Sequence, residues 1–137
     1  YKKEDVVEKV MEITGGNGVP VVYDGVGKDT FDTSLECLSI RGMFVSFGQS
    51  SGMVPSVNLH KTFNPKSLYY TRPTLMHYNN TRDSLEQSSK SLFNMIEEKK
   101  IKINLSEKYN LKDASMAHFD LESRKTFGSI ILKTWFI

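Results

Sequence analysis

The sequence contains very little cysteine. Cys37 is the only cysteine in 137 residues, so no internal disulfide can form, and no CxxC motif or cysteine/histidine cluster offers a frame for a metal ion. Its position between Leu35 and Leu38 in a helical pattern indicates a small buried side chain. A reducing compartment suits such a chain best, and we predict a cytoplasmic protein.

The sequence also lacks long apolar runs and an excess of charge of one sign. None of its apolar runs approaches the roughly twenty residues that span a bilayer, and no charged-then-apolar leader opens the chain. Eighteen Lys and Arg residues are balanced by sixteen Asp and Glu, leaving a formal charge of +2. Nucleic-acid-binding proteins concentrate basic residues on one face. The composition therefore predicts neither a membrane protein nor a nucleic-acid partner.

Hydrophobic periodicity predicts helices and strands in alternation. Apolar side chains recur at helical spacing in residues 3–14, 30–38, 81–98 and 111–121. Short β-branched and aromatic runs predict strands at residues 19–23, 42–47, 67–71, 101–105 and 129–135. Residues 49–65 turn to Ser, Gly, Asn and Pro and predict a surface loop with a helical turn near residues 58–63. This order is typical of an α/β protein with a mainly parallel sheet, and the length suits one domain.

The strands at residues 19–23 and 42–47 both end in small, glycine-bearing segments. DGVG follows the first strand at residues 24–27, and GQSSG follows the second at residues 48–52. In open parallel sheets, ligands bind just beyond the carboxyl ends of the strands. The two segments therefore predict part of the rim of a nucleotide site.

The segment GVGKDT at residues 25–30 resembles two phosphate-binding loops and completes neither. A P-loop needs four residues between its glycines and a Lys followed directly by Ser or Thr, whereas Asp29 follows Lys28. A dinucleotide-binding fingerprint needs a third glycine where Thr30 stands. The simplest alternative is a strand-to-helix turn in which glycine supplies a positive φ. We favour a turn whose backbone also borders a ligand.

Several other residues leave two interpretations open. Phe47 can stack on a flat ring while Gly48 permits close approach, or it can pack in the core. Arg72 and Arg124 can each grip a phosphate through paired hydrogen bonds, or can join surface ion pairs. The histidines lack HxxxH spacing and a nearby cysteine, so they are most simply surface or edge residues: His60, His77 and His118.

Four segments in order carry a family resemblance: VVYDGVGKDT, LECLSIRGMFVSFGQSSG, KSLYYTRPTL and LKDASMAHFDLESRKTFGSIIL. They resemble the zinc-independent quinone oxidoreductases of the medium-chain dehydrogenase/reductase superfamily, most of all the bacterial NADPH-dependent enzymes. The resemblance implies the carboxy-terminal part of such a protein: an incomplete Rossmann-type parallel sheet with the last three strands and their helices. Residues 1–100 would form this partial cofactor-binding domain, and residues 101–137 a tail that completes the catalytic lobe.

The resemblance also implies cofactor-binding residues. Tyr1 matches a tyrosine near the adenosine ribose and its 2′-phosphate, Val26 a residue that touches a cofactor ribose, and Arg124 an arginine near the cofactor. Two segments match the surroundings of the nicotinamide ring and of its carboxamide, respectively: Phe47, Gly48, Gln49, Ser50 and Ser51, and Pro73, Thr74 and Leu75. The Gly-rich pyrophosphate loop of the family has no counterpart in this sequence.

The implied chemistry is hydride transfer from NADPH to a quinone, without zinc. The resemblance also implies a homodimer through the strand from Ser67 to Thr71. Because the catalytic lobe and the pyrophosphate loop have no counterpart here, we expect the chain alone to have little or no activity. An alternative is a non-catalytic oligomerising or interaction module that pairs through the bare edge of residues 19–23. A nucleotide-phosphate binder using residues 25–30 is a third.

Overall fold

The computed structural model of the chain describes residues 4–54 and 56–134 and divides into two compact units, Tyr1–Tyr78 and Asn79–Ile137. The first unit contains α1 (Val6–Ile13), β1 (Val19–Asp24), α2 (Phe31–Glu36), β2 (Leu38–Ser46), α3 (Leu59–Thr62), a 3-10 turn (Asn64–Lys66), β3 (Tyr69–Thr71) and α4 (Leu75–Tyr78). The second contains α5 (Arg82–Glu97), β4 (Leu105–Asn110), a 3-10 turn (Leu111–Asp113), α6 (Ala114–Glu122) and β5 (Ser129–Lys133). The lobe assignment of residues 1–100 and 101–137 concerns the intact family and stays a prediction.

The first unit is built on a three-stranded parallel sheet in the order β1-β2-β3. Asp24 lies opposite Ser46, and Val45 lies opposite Thr71. All three strands therefore finish at the same edge of the sheet. This arrangement confirms the α/β class and the incomplete parallel sheet predicted from the sequence.

One face of this sheet carries the core of the first unit. Phe44 and Leu38 are completely buried, and Phe31 packs edge-on against Phe44 with ring centroids 5.4 Å apart. Burying a side chain of this size contributes about 2 kcal/mol. On the opposite face, Tyr23 is 73 % exposed. The β-branched and aromatic run at residues 19–23 predicts a strand covered on both faces. This prediction is wrong for the described residues, because α2 covers only one face of β1.

Both ends of α2 are fixed by polar contacts. The sequence predicts Asp29 or Thr30 as the cap of this helix. Thr30 takes the N-cap position, but its hydroxyl donates to Asp24 and makes no capping hydrogen bond. At the other end, the Lys66 ammonium donates to the carbonyl oxygens of Leu35, Glu36 and Leu38 at 3.3, 2.8 and 2.6 Å. A cation at this place satisfies orphan carbonyls and opposes the negative end of the helix dipole.

The second unit contains a parallel pair, β4 and β5, with α6 against it. The predicted strand at residues 101–105 is wrong, since pairing begins at Leu105 opposite Ser129 and runs to Asn110. The apolar Ile101 and Ile103 suggested a strand, but the ladder is formed by the more polar segment that follows. The helix predicted at residues 81–98 is confirmed as α5, with Thr81 and Ser84 forming a capping box.

The described part of the chain contains no helix that is both long and apolar enough to cross a membrane.

Candidate functional site

Two loops meet at the edge where β1 and β2 end. We call residues 25–30 the first loop and residues 47–52 the second loop. Ser50 donates its amide to the Gly25 carbonyl at 3.3 Å, and Lys28 donates its amide to the Gly52 carbonyl at 3.2 Å. The prediction that these segments lie together is therefore correct, and main-chain hydrogen bonds hold them.

Ser51 provides the strongest link between the two loops. Its hydroxyl donates to the Val26 carbonyl at 2.8 Å and accepts from the Asp29 amide at 3.0 Å. Its own amide donates to the same Val26 carbonyl at 2.9 Å. One serine thus pairs two main-chain polar groups of the first loop.

Glycine is needed where the loops approach most closely. A Cβ added to Gly25 would lie 3.0 Å from Cζ of Phe47, and one added to Gly48 would overlap the Gly25 backbone. Gly27 has φ +91°, and its Cβ would lie 2.5 Å from the Gly52 carbonyl oxygen. All three glycines permit close contact between the loops, and Gly27 alone of the three also supplies the positive φ expected of a turn.

Asp24, the last residue of β1, is the buried charged group of this site. Its Oδ1 accepts from the amides of Val26 and Gly27 at 2.8 and 2.9 Å. Its Oδ2 accepts from the hydroxyls of Thr30 and Ser34 at 2.7 and 2.6 Å. Burial raises the pKa of this carboxyl, but the hydrogen bonds from Ser34, Gly27, Thr30 and Val26 together outweigh it and leave the pKa lowered.

This arrangement argues against a phosphate-binding role for the first loop. Two of the amides that would face a phosphate already donate to Asp24. Sequence reasoning did not single out Asp24. The available signal was an aspartate ahead of Gly25, with hydroxyl side chains six and ten positions on at Thr30 and Ser34.

The predicted cofactor-binding residues fall in several places. Val26 and Phe47 lie on the two loops and are 37 % and 57 % exposed, so the interpretation of Phe47 as a core residue is wrong. Gln49 and Ser50 are exposed, and Gly48 and Ser51 are half-buried. Pro73 and Thr74 follow β3, and Leu75 begins α4. Arg124 lies in the second unit, and Tyr1 lies outside the described residues.

Arg72 connects the third strand to this edge. Its guanidinium donates to the carbonyl oxygen of Ser46, the last residue of β2, at 2.6 Å. This contact holds the start of the Pro73–Leu75 segment beside the end of β2. Arg72 therefore serves the edge structurally, in addition to the anion-binding role considered for it.

The described residues offer no metal centre. Across residues 4–54 and 56–134, no group of three or more His, Cys, Asp or Glu side chains is placed to hold a metal ion. Cys37 is buried, as predicted, and burial raises the pKa of its thiol. A neutral, enclosed thiol is a poor metal ligand.

Comparison with known proteins places the chain in a family. The chain is 52 % identical over 134 residues to quinone oxidoreductase 1 of Escherichia coli, and this match covers 96 % of the chain and 41 % of that protein. It is 39 % identical to a 2-haloacrylate reductase of a Burkholderia species, covering 96 % of the chain and 40 % of that protein. The chain thus spans about two-fifths of the length of these relatives.

Solved structures give the same result. The crystal structure of the Escherichia coli quinone oxidoreductase complexed with NADPH matches with a TM-score of 0.88 at 52 % identity, covering 96 % of this chain and 41 % of that one. A mycobacterial structure complexed with NADPH matches with a TM-score of 0.83 at 44 % identity, covering 92 % of this chain and 39 % of that one.

These matches confirm the resemblance to quinone oxidoreductases that the motifs indicated. The zinc-binding dehydrogenase profile matches residues 1–132. This chain belongs to the zinc-binding dehydrogenase family.

Proposed function

We propose that this chain is the carboxy-terminal part of an NADPH:quinone oxidoreductase, and that the two loops form the nicotinamide side of its cofactor site. The observation that carries the proposal is the joining of the loops at the carboxyl edge of a parallel sheet, with Val26 and Phe47 exposed there. The NADPH complexes of two relatives support it.

Each part of the edge has a distinct role in this proposal. Phe47 offers an apolar face to the nicotinamide ring, and Val26 borders the adjoining ribose. The main chain of residues 48–51 and 73–75 borders the polar atoms of the cofactor. NADPH supplies the hydride when it is bound, and the protein contributes orientation and exclusion of water. The acceptor is a quinone or another electron-poor compound, a class that also includes the 2-haloacrylate of one relative's name.

Zinc plays no part in this proposal. The described residues bring no suitable ligand set together, so the metal suggested by the family's name has no site in that part of the chain. We place the enzyme in the cytoplasm, where the buried Cys37 thiol stays reduced.

The proposal includes inactivity of the isolated chain. The residues that match this chain are about 41 % of the Escherichia coli relative, and the family's pyrophosphate loop and substrate lobe belong to the remainder.

A chimera tests the proposal: the Escherichia coli residues that precede the matched segment are joined to this chain, and NADPH oxidation is followed with a simple quinone. We expect turnover by the chimera and none by the chain alone. Turnover by the chain alone, or an inactive but folded chimera, would contradict the proposal.

A second candidate function rests on the edges of the sheet. Among the described residues, β1 and β3 each pair with β2 and with no other strand. Unpaired edges favour association with another chain. We propose a homodimer through β3 in the intact protein, and we keep association through β1 as the alternative for a non-catalytic module.

Light scattering across protein concentrations tests this association, and charged variants distinguish the two edges. Tyr69 on β3 is 51 % exposed and Tyr23 on β1 is 73 % exposed. If Tyr69→Lys alone yields monomers, the dimer forms through β3; if Tyr23→Lys alone does so, it forms through β1. A chimera that is monomeric at all concentrations would contradict the homodimer through β3, and an isolated chain that is monomeric would contradict the association through β1.

A further inference from the structure

We propose that Asp24 is a positioning residue that holds both loops of the candidate site in one arrangement. The importance of Asp24 for cofactor binding rests on the proposed function. Its role in holding the two loops does not, because all the hydrogen bonds involved lie within this chain. The hydrogen bonds of the Asp24 carboxylate go to Val26, Gly27, Thr30 and Ser34. Its influence on Phe47 and Ser51 therefore passes through the main chain.

The Asp24 carboxylate divides its two oxygens between two tasks. Oδ1 accepts from the Val26 and Gly27 amides and so fixes the first loop. Oδ2 accepts from the hydroxyls of Thr30 and Ser34 and so attaches that loop to the start of α2. An ionised carboxylate is the side chain that can accept all four, because it has two acceptor oxygens and no donor.

The main chain of Asp24 holds the second loop. Its carbonyl oxygen accepts from the amides of Phe47 and Gly48 at 2.9 and 3.3 Å. The second loop therefore begins on Asp24 itself. One buried residue anchors the first loop by its side chain and the second loop by its backbone.

A further step connects the carboxylate to Ser51. The peptide whose amide belongs to Gly27 also contains the Val26 carbonyl, and this carbonyl accepts both hydrogen bonds from Ser51. Fixing that peptide by Oδ1 aims its carbonyl at the second loop. Loss of the carboxylate is expected to release the peptide and, with it, the Ser51 contacts.

Amide hydrogen exchange of the 137-residue chain, measured by NMR, tests the inference. In Asp24→Ala we expect the amides of Val26 and Gly27 to exchange faster than in the parent chain. We expect the exchange rates of the Ser51 and Asp29 amides to rise as well, by about tenfold or more, because a hydrogen bond to a charged group is lost. Asp24→Asn retains one acceptor oxygen, so we expect it to restore most of the protection at Ser51.

Lys66→Ala is the matched control. It removes three hydrogen bonds from the same unit, but at the carbonyls of the last residues of α2 and the first residue of β2. We expect it to raise exchange throughout the unit without a selective effect at Ser51. Should Asp24→Ala fail to fold, Ser34→Ala and Thr30→Val each remove one donor to Oδ2 and take its place.

The inference is overturned if Ser51 and Asp29 exchange no faster in Asp24→Ala than in Lys66→Ala. It is also overturned if Asp24→Asn is as unprotected at Ser51 as Asp24→Ala, because the acceptor oxygen would then be irrelevant. These measurements need no cofactor. An inactive chimera would thus contradict the proposed function and leave the role of Asp24 untouched. The role of Asp24 is tested by amide hydrogen exchange.

Discussion

Ser51 donates two hydrogen bonds to the carbonyl oxygen of Val26, one from its amide at 2.9 Å and one from its hydroxyl at 2.8 Å. Val26 belongs to the loop after β1 and Ser51 to the loop after β2. The two segments that form the candidate rim are therefore fixed to each other by the protein's own hydrogen bonds. Such preorganisation lowers the ordering cost of binding.

Ser51→Ala removes the hydroxyl and leaves the Asp29 amide without that acceptor. We expect a loss of about 1 kcal/mol in the free energy of unfolding, the usual contribution of such hydrogen bonds. Urea unfolding measures it. Ser50→Ala is the control, because Ser50 contributes its amide to the contact between the loops, and a loss equal to that of Ser51→Ala would contradict the assignment.

Gly25→Ala places a Cβ 3.0 Å from Cζ of Phe47. Because the ring must move, we expect the KM for NADPH of the chimera to rise by about threefold to tenfold. A tenfold rise corresponds to a loss of about 1.4 kcal/mol in binding free energy. A double-mutant cycle with Phe47→Leu isolates the contact, since a smaller side chain relieves the overlap. Strictly additive effects of the two substitutions would show that the contact does not exist in solution.

Lys66→Met removes the three contacts to the carbonyl oxygens at the end of α2 and the start of β2. We expect unfolding to become easier by about 1–2 kcal/mol, because partly buried carbonyls lose a charged donor. Lys61→Met in α3 is the matched substitution of an exposed lysine, and thermal unfolding compares them. Equal melting temperatures for both variants and the parent chain would contradict the role of Lys66.

Asp24 predicts a specific dependence of stability on pH. Its folded-state pKa is lowered, so the unfolded chain binds the proton more tightly. The stabilisation is fully present above the unfolded value of about 3.9 and is lost as the pH falls through the lower folded value. The difference in unfolding free energy between the parent chain and Asp24→Asn, measured by urea between neutral and acid pH, should shrink on acidification. If the difference in unfolding free energy between the two proteins did not change with pH, the lowered folded-state pKa of Asp24 would be contradicted.

The sequence predicted the sheet and its edge because local patterns determine them. Phe31, Leu35 and Leu38 recur at helical spacing, and three of the predicted strands lie within β1, β2 and β3 or overlap them. The start of β4 was missed because its residues 105–110 are mostly polar, while Ile101 and Ile103 ahead of it are apolar. A strand is recognised in a sequence by alternating apolar and polar residues, and a mostly polar segment does not show this alternation.

The role of Asp24 was missed for a different reason. Its partners Thr30 and Ser34 lie up to ten residues away, and the carboxylate meets them only after β1, the first loop and α2 have formed. The second loop reaches Asp24 from more than twenty residues away, since Phe47 donates to its carbonyl oxygen. Contacts of this kind arise from tertiary structure, and single-sequence patterns do not contain them.

The most direct test of the account is the KM for NADPH of the chimera carrying Phe47→Ala, compared with Ile40→Ala. Both side chains are exposed, at 57 % and 77 %, but Ile40 lies toward the opposite end of β2. We predict an increase in KM of about tenfold for Phe47→Ala, near 1.4 kcal/mol, and no change for Ile40→Ala. An unchanged KM for Phe47→Ala, or an equal increase in both variants, would contradict the assignment of the nicotinamide site to this edge.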